Sequence, residues 1–311
     1  MTTQRIEQGI ITVLEYETYI PILIDSFIID RRAQNLSKGT IRFYQKKLKY
    51  FTDFCDSQAV NDLLQIDANL IRQFLLHLGE SGHNPGGIHA MYRSLKTFLR
   101  WWENEFEPDD WKNPINKVKA PRVSIEPLEP VDYEVVKAMI TICPMNFTGL
   151  RDKAMMLFLL DTGVRASELI SVNIEDLNPI TGDVLIKIGK GRKPRTVYIG
   201  SKSRKVLRAY LKVRKDNSLA LWVTDEGEPI TYWGVRMMIR RRANQAGVKP
   251  PKLHAFRRWF ALTCLRAGMD VYSLQELMGH ADLQILRRYL KQTNQDIREA
   301  HRKASPVDNG L

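Results

Sequence analysis

Six side chains suited to phosphoryl chemistry lie in the second half of the sequence. Arg165 sits in Thr162-Gly163-Val164-Arg165-Ala166-Ser167-Glu168-Leu169 and Lys190 in a Gly-Lys-Gly turn; His254 and Arg257 share His-Ala-Phe-Arg, His280 follows Gly279, and Tyr289 comes nine residues later. Attack on a phosphodiester spreads negative charge over the non-bridging oxygens. Without a metal ion that charge needs fixed cationic donors, and guanidinium offers a planar, permanently charged, bidentate fork. Arg165 and Arg257 suit that role; the plainer alternative is a structural ion pair, such as Arg165 with Glu168 one helical turn on. A phenol with a pKa near 10 is ionised in roughly one molecule in a thousand at pH 7, so a tyrosine nucleophile needs about 4 kcal/mol of help. Neighbouring cations lower that cost and a base removes the proton. His254 is the first candidate base. Arg287 and Arg288 flank Tyr289 and act on its phenol or on nucleic-acid phosphates. The plain alternative for a tyrosine so placed is packing.

Around Lys190 the run Gly189-Lys190-Gly191-Arg192-Lys193-Pro194-Arg195 has the composition of a turn between strands. Arg192, Lys193 and Arg195 would hold phosphates there; a solvated hairpin tip is the alternative. His77, His83, His89 and His301 have no partners in the sequence and receive no role. Trp101, Trp102, Trp222, Trp233 and Trp259 read as packing residues rather than stacking platforms. The sequence has no Gly-x-x-x-x-Gly-Lys-Ser/Thr loop, no His-Glu-x-x-His, no Gly-x-Ser-x-Gly and no dense carboxylate cluster, so no metal site and no cofactor is expected. Cys55, Cys143 and Cys264 are odd in number and widely spaced, against a disulfide framework or a thiolate zinc site.

The elements that must position these residues fall into two parts. The chain has 311 residues, enough for two domains with separate cores. Lys and Arg number 47 against 35 Asp and Glu, yet residues 1–106 hold 12 of each, so the whole excess lies beyond them. Such a field favours a polyanionic partner, nucleic acid ahead of anionic lipid. The apolar runs Ile20–Ile24 and Met155–Leu160 are far shorter than the ~20 residues that span a bilayer, and Glu7, Glu15 and Glu17 interrupt any signal peptide. A cytoplasmic location is expected.

Helical periodicity predicts a small bundle at 22–35, 40–57, 67–80 and 86–105, with cap signals at Ser37-Lys38-Gly39-Thr40, Asp67 and Asn84-Pro85-Gly86-Gly87. On two of these helices Arg42, Lys46 and Lys49, and then Arg93, Lys96 and Arg100, form basic stripes away from the core. They either grip a phosphate backbone or make an ordinary solvated face. Residues 107–127 are proline-rich with little apolar periodicity and read as an extended linker. One strand pair, 184–188 with 196–199, interrupts a helical remainder. The domains are therefore 1–106, a linker 107–127 and 128–311, and the fold class is mainly α with a small β-sheet.

The order and spacing of these residues resemble the tyrosine site-specific recombinases, the phage-integrase family, over essentially the whole chain. Arg165 matches the family's first arginine, Lys190 its β-hairpin lysine, His254 and Arg257 its His-x-x-Arg pair, His280 its Gly-His histidine and Tyr289 its nucleophile. The resemblance implies a helical core-binding bundle followed by a mixed α/β catalytic domain. It further implies Lys190 as general acid, an assisting hydrogen bond from His280, and a 3′-phosphotyrosine and Holliday junction formed without ATP or metal. The partners would be double-stranded DNA recombination sites, a homo-tetramer on that DNA and, as an option, accessory DNA-bending proteins, at the nucleoid, with residues 297–311 docking on a neighbouring protomer. A frayed terminus is the alternative for that tail. Only about 20 residues precede the first helix, which favours the simpler two-domain members. Two departures stand out: Arg258-Trp259 where the family often has His-Thr, and Leu286-Arg287 where it often has a Thr pair. The rival readings are a type IB topoisomerase-like relaxing enzyme and a non-catalytic DNA-binding architectural protein.

Overall fold

The cap signals in the first half act as the sequence suggests. Helix α1 spans Ile20–Ala33. Ser37 accepts the Thr40 amide at 3.1 Å at the head of α2, Lys38–Ser57. Asp67 accepts the Leu70 amide at 2.7 Å before α3, Ala68–Glu80, and Asn84 accepts the Gly87 amide at 2.8 Å before α4, Pro85–Phe106. Each cap satisfies an amide that the helix itself leaves without an acceptor. The four helices lie within two residues of the expected boundaries. They bury Phe27, Leu48, Phe51, Phe74, Phe98 and Leu99 completely.

The computed structural model describes residues 18–123, 129–187, 194–279 and 294–310. The chain divides into two units, Met1–Ile125 and Glu126–Leu311.

The expected extended linker is largely part of the first unit. Trp111 meets the Trp102 ring edge-on at 4.7 Å, Pro114–Lys117 forms a 3-10 turn, and Ile115 and Val118 are 1% and 6% exposed. Tyr92 donates to the Val118 carbonyl at 2.9 Å and Arg72 to the Lys117 carbonyl at 3.0 Å. His89, which had no partner in the sequence, lies 2.9 Å from the Pro121 carbonyl through Nδ1. Prolines hid this segment from a periodicity argument, because its apolar residues dock singly rather than as a stripe.

The second unit is built around α6, Phe147–Thr162, buried on almost every side and packed against α5 (Tyr133–Thr141), α8 (Ser201–Val213) and α10 (Leu253–Arg266). Strands β1, Asp183–Ile186, and β2, Arg195–Tyr198, pair antiparallel with Val184 opposite Val197. Both of those valines face the core, while Leu185 and Tyr198 are exposed. The short α7 is Ala166–Leu169, α9 is Tyr232–Gln245, α11 is Val271–Met278, and the chain ends in α12, Asn294–Ala304, and α13, Pro306–Gly310. Residues 294–304 and 306–310 are thus helical on either side of Ser305. No described helix is long and apolar enough to cross a membrane.

Replacing Tyr92 with Phe leaves the Val118 carbonyl without its donor. Urea unfolding should show a loss of about 1 kcal/mol, with faster proteolysis inside 107–123; unchanged cleavage there would mean that the hydroxyl does not fasten the segment.

Candidate active site

Helix α6 ends at Gly163, whose φ of 60° closes the last turn and whose amide bonds to the Leu159 carbonyl at 3.2 Å. A Cβ at Gly163 would lie 2.2 Å from the Phe260 ring, so glycine is required both by conformation and by space. The turn delivers Arg165 to the N-cap of α7. There the Arg165 amide donates to Glu168 Oε2 at 2.8 Å and its Nη1 to Glu168 Oε1 at 2.7 Å. The ion pair suggested as the plain alternative for Arg165 therefore exists. It holds the guanidinium in place while its side chain stays 24% exposed.

Arg257, three residues along α10 from His254, is 1% exposed. Its Nη1 donates to the Gly163 carbonyl at 2.7 Å and its Nη2 to the Met278 carbonyl at 2.6 Å. One side chain thus ties the turn before Arg165 to the end of α11, two residues before His280. His254 lies on the first turn of α10 with part of its surface open to solvent. Burial lowers its pKa from the ordinary 6.5, and the positive charges of Arg258, Arg257 and Arg165 lower it further. A neutral imidazole among cations is a proton acceptor at pH 7. The structure therefore brings Arg165, His254 and Arg257 to one place. Lys190, Arg192, Lys193, His280, Arg287 and Tyr289 lie outside the described residues.

Arg195 departs from expectation. Assigned to phosphate from its place in a basic turn, it is 7% exposed and pairs with Glu168 through Nη2 at 2.8 Å and Nη1 at 3.2 Å. Its Nε donates to the Leu277 carbonyl at 2.7 Å. The fork is taken up by protein acceptors. Burial pushes the Glu168 carboxyl up, but the hydrogen bonds from Arg195 and Arg165 and the charge of Arg195 outweigh this and hold it at about 2. Periodicity could not separate Arg195 from its basic neighbours, because its partners lie 27 and 82 residues away.

The departures from the family pattern also find partners. Arg258 donates to the Glu129 carbonyl at 2.9 Å, and Trp259 stacks on Tyr133 at 5.6 Å, so both fasten the start of the second unit. The run Arg240-Arg241-Arg242 is not a uniformly solvated tract. Fully buried Asp152 accepts from Arg242 and Arg241 at 2.8 Å and from Arg151 at 2.9 Å, clamping α9 to α6. Tyr232, Trp233, Arg236, Arg240, Lys252 and His254 line a groove of about 450 Å³. Trp233, read as a packing residue, is 62% exposed, with the Arg236 guanidinium 5.3 Å from its ring centre.

In the first unit Arg93, Lys96 and Arg100 line a groove of about 470 Å³ together with Arg31, which the sequence reading did not single out. Arg42, Lys46 and Lys49 are exposed on α2, although Lys49 is paired with Asp53 at 2.9 Å.

Comparison with known proteins places the chain in a family. Residues 130–296 match the phage integrase family and residues 24–108 match the phage integrase N-terminal SAM-like domain. The tyrosine recombinase XerA of Pyrococcus horikoshii is 30% identical, over 93% of this chain and 95% of its own. The tyrosine recombinase XerC of Oceanobacillus iheyensis is 28% identical, over 95% and 98%. Among solved structures, the Tn1549 transposon integrase with a circular intermediate DNA gives a TM-score of 0.76 at 18% identity, covering 92% of this chain and 99% of that one. XerH bound to palindromic difH substrate, in a post-cleavage complex, gives 0.69 at 22% identity, covering 90% and 83%. A helical unit followed by a helical unit with a small two-stranded sheet is the architecture of a tyrosine recombinase. The chain belongs to the phage integrase family.

The depressed Glu168 pKa fixes a pH window. A carboxyl lowered from 4.5 to about 2 on folding contributes stability above pH 4.5, lost as pH falls toward 2. The shift corresponds to about 3 kcal/mol at neutral pH. Glu168→Gln should therefore be less stable at pH 7 and unfold with a flatter pH dependence between 4.5 and 2. An unchanged acid-unfolding curve would show that the carboxylate is not held this way.

Proposed function

We propose that this chain cuts and rejoins double-stranded DNA at specific recombination sites through a 3′-phosphotyrosine and a Holliday junction, without ATP or metal, as a tetramer on the DNA. The bond from Tyr289 Oη to phosphorus forms as the bond from phosphorus to O5′ breaks. The phenolic proton passes to His254, and the departing 5′-oxygen takes a proton from Lys190. Arg165 and Arg257 stabilise the charge on the non-bridging oxygens, with His280 assisting. The phosphotyrosine retains the energy of the cleaved diester, so the 5′-hydroxyl of a partner strand can attack it in the reverse reaction.

The observation that carries this reading is the convergence of Arg165, His254 and Arg257 on one spot, with Met278 fastened beside them at the start of the segment that leads to Tyr289. The basic groove of the first unit and the groove beside His254 supply cationic surface for a duplex. Arg93, Lys96 and Arg100 are the better placed of the two stripes, and Arg192, Lys193 and Arg287 extend the same role. The neighbours lend support: one is XerH on a difH substrate, another a lambda integrase tetramer bound to a Holliday junction. Relaxation without exchange, or binding without cleavage, is the less favoured reading, since the relatives are named recombinases.

Trapping on nicked duplexes tests the nucleophile. The wild-type chain should form a covalent adduct in excess EDTA, mapped by mass spectrometry to Tyr289, and Tyr289→Phe should form none while still binding. An adduct at another residue would refute the assignment. The lowered His254 pKa places the acid limb of the cleavage pH profile below 6.5; a limb at or above 6.5 would remove His254 as the base.

A further inference from the structure

We infer that Arg195 is a positioning residue that holds the β1–β2 hairpin, the Arg165 turn and the end of α11 in one register, and does not contact DNA phosphate. The inference rests on the function proposed above and assigns this site an internal brace.

Three acceptors on two separate segments converge on this guanidinium. Two are the carboxylate oxygens of Glu168, which also fix Arg165. The third is the Leu277 carbonyl, three residues before His280. Arg195 itself opens β2, five residues after Lys190 in the sequence. Its side chain is 5% exposed, so solvent neither screens the pair nor competes for the carbonyl. A rigid planar fork meets both carboxylate oxygens and a carbonyl in fixed directions; a lysine ammonium carries three donors but no fixed plane and sits on a flexible stem.

The other side of the guanidinium is closed as well. Gly279, at φ 60°, has no side chain there, and a Cβ would come within 3.1 Å of Arg195 Cδ and Nη1. Glycine at that position therefore serves two purposes, ending α11 and leaving room for the brace. Arg165 is three residues from Glu168, Lys190 five from Arg195 itself and His280 three from Leu277, so the cationic donor, the general acid and the assisting histidine each lie close in sequence to this network. Loosening it should disturb proton delivery to the leaving group while leaving DNA affinity intact.

The test compares wild type with Arg195→Gln and Arg195→Lys on a duplex recovered from a nicked random-sequence library by covalent capture with the wild-type chain. The duplex is synthesised with either oxygen or sulfur at the 5′-bridging position. A thiolate leaves without a proton, so the sulfur substrate needs no general acid. Arg195→Gln should bind with unchanged affinity and salt dependence, and should cleave the oxygen substrate slower by on the order of 10²-fold, the range of a lost general acid. It should recover much of that loss on the sulfur substrate, as Lys190→Ala does, and Arg195→Lys should behave in the same way. Equal slowing on both substrates, or no slowing, overturns the inference. So does a salt slope lowered by about one, which marks a direct phosphate contact. A DNA-free measurement separates this from failure of the proposed reaction: in Arg195→Lys, amide exchange should quicken together at 195–198 and 277–279. Quickening at one of these alone, or at neither, refutes the brace even if no duplex is cleaved.

Discussion

One buried guanidinium, that of Arg257, fastens the carbonyls of Gly163 and Met278, and the rest of the site depends on it. Those carbonyls end two helices, α6 and α11, whose final turns leave backbone acceptors without intrahelical partners. By taking them up, Arg257 fixes where each chain leaves its helix: toward Arg165 in one case and toward His280 in the other. With five N–H donors, one guanidinium can hold two carbonyls and still address a third acceptor. Removing it would leave two buried carbonyls without their donor, at about 1–3 kcal/mol each. Arg257 is therefore structural through the same guanidinium that the proposed reaction would use, and the two roles are compatible.

Charge balance explains why the other arginines do not push the site apart. Glu168 sits between Arg165 and Arg195, and Asp152 between Arg151, Arg241 and Arg242. Each carboxylate neutralises part of a local excess and directs which guanidinium is spent internally and which faces outward. At Glu168 the outward one is Arg165, 24% exposed against 5% for Arg195. At Asp152 the clamp holds α9, leaving Arg236 and Arg240 to line the groove beside His254. A strongly basic chain thus remains folded while concentrating its uncompensated charge along chosen faces.

Much of this was legible in the sequence wherever the cause was local. Ser37, Asp67 and Asn84 cap the helices they announce, and the apolar stripe of α4 buries Leu95, Phe98 and Trp102. The Arg165–Glu168 pair follows from one-turn spacing. What depends on distant partners was not legible. Arg195 looked like its solvated neighbours, Trp111, Ile115 and Val118 looked like a linker, and Trp233 looked like core although it is exposed. The pairing of Arg242 with Asp152, 90 residues earlier, leaves no local signal in the sequence. The close approaches of Phe260 to Gly163 and of Arg195 to Gly279 arise from tertiary packing and leave no local signal.

The account stands most directly on a crystal structure of the chain on a nicked duplex with vanadate in place of the scissile phosphate. It predicts Tyr289 Oη at one apical position, with guanidinium nitrogens of Arg165 and Arg257 within hydrogen-bond distance of the equatorial oxygens. Arg257 should still hold the Gly163 and Met278 carbonyls. A different apical atom, or either guanidinium out of reach of the vanadate, would contradict it.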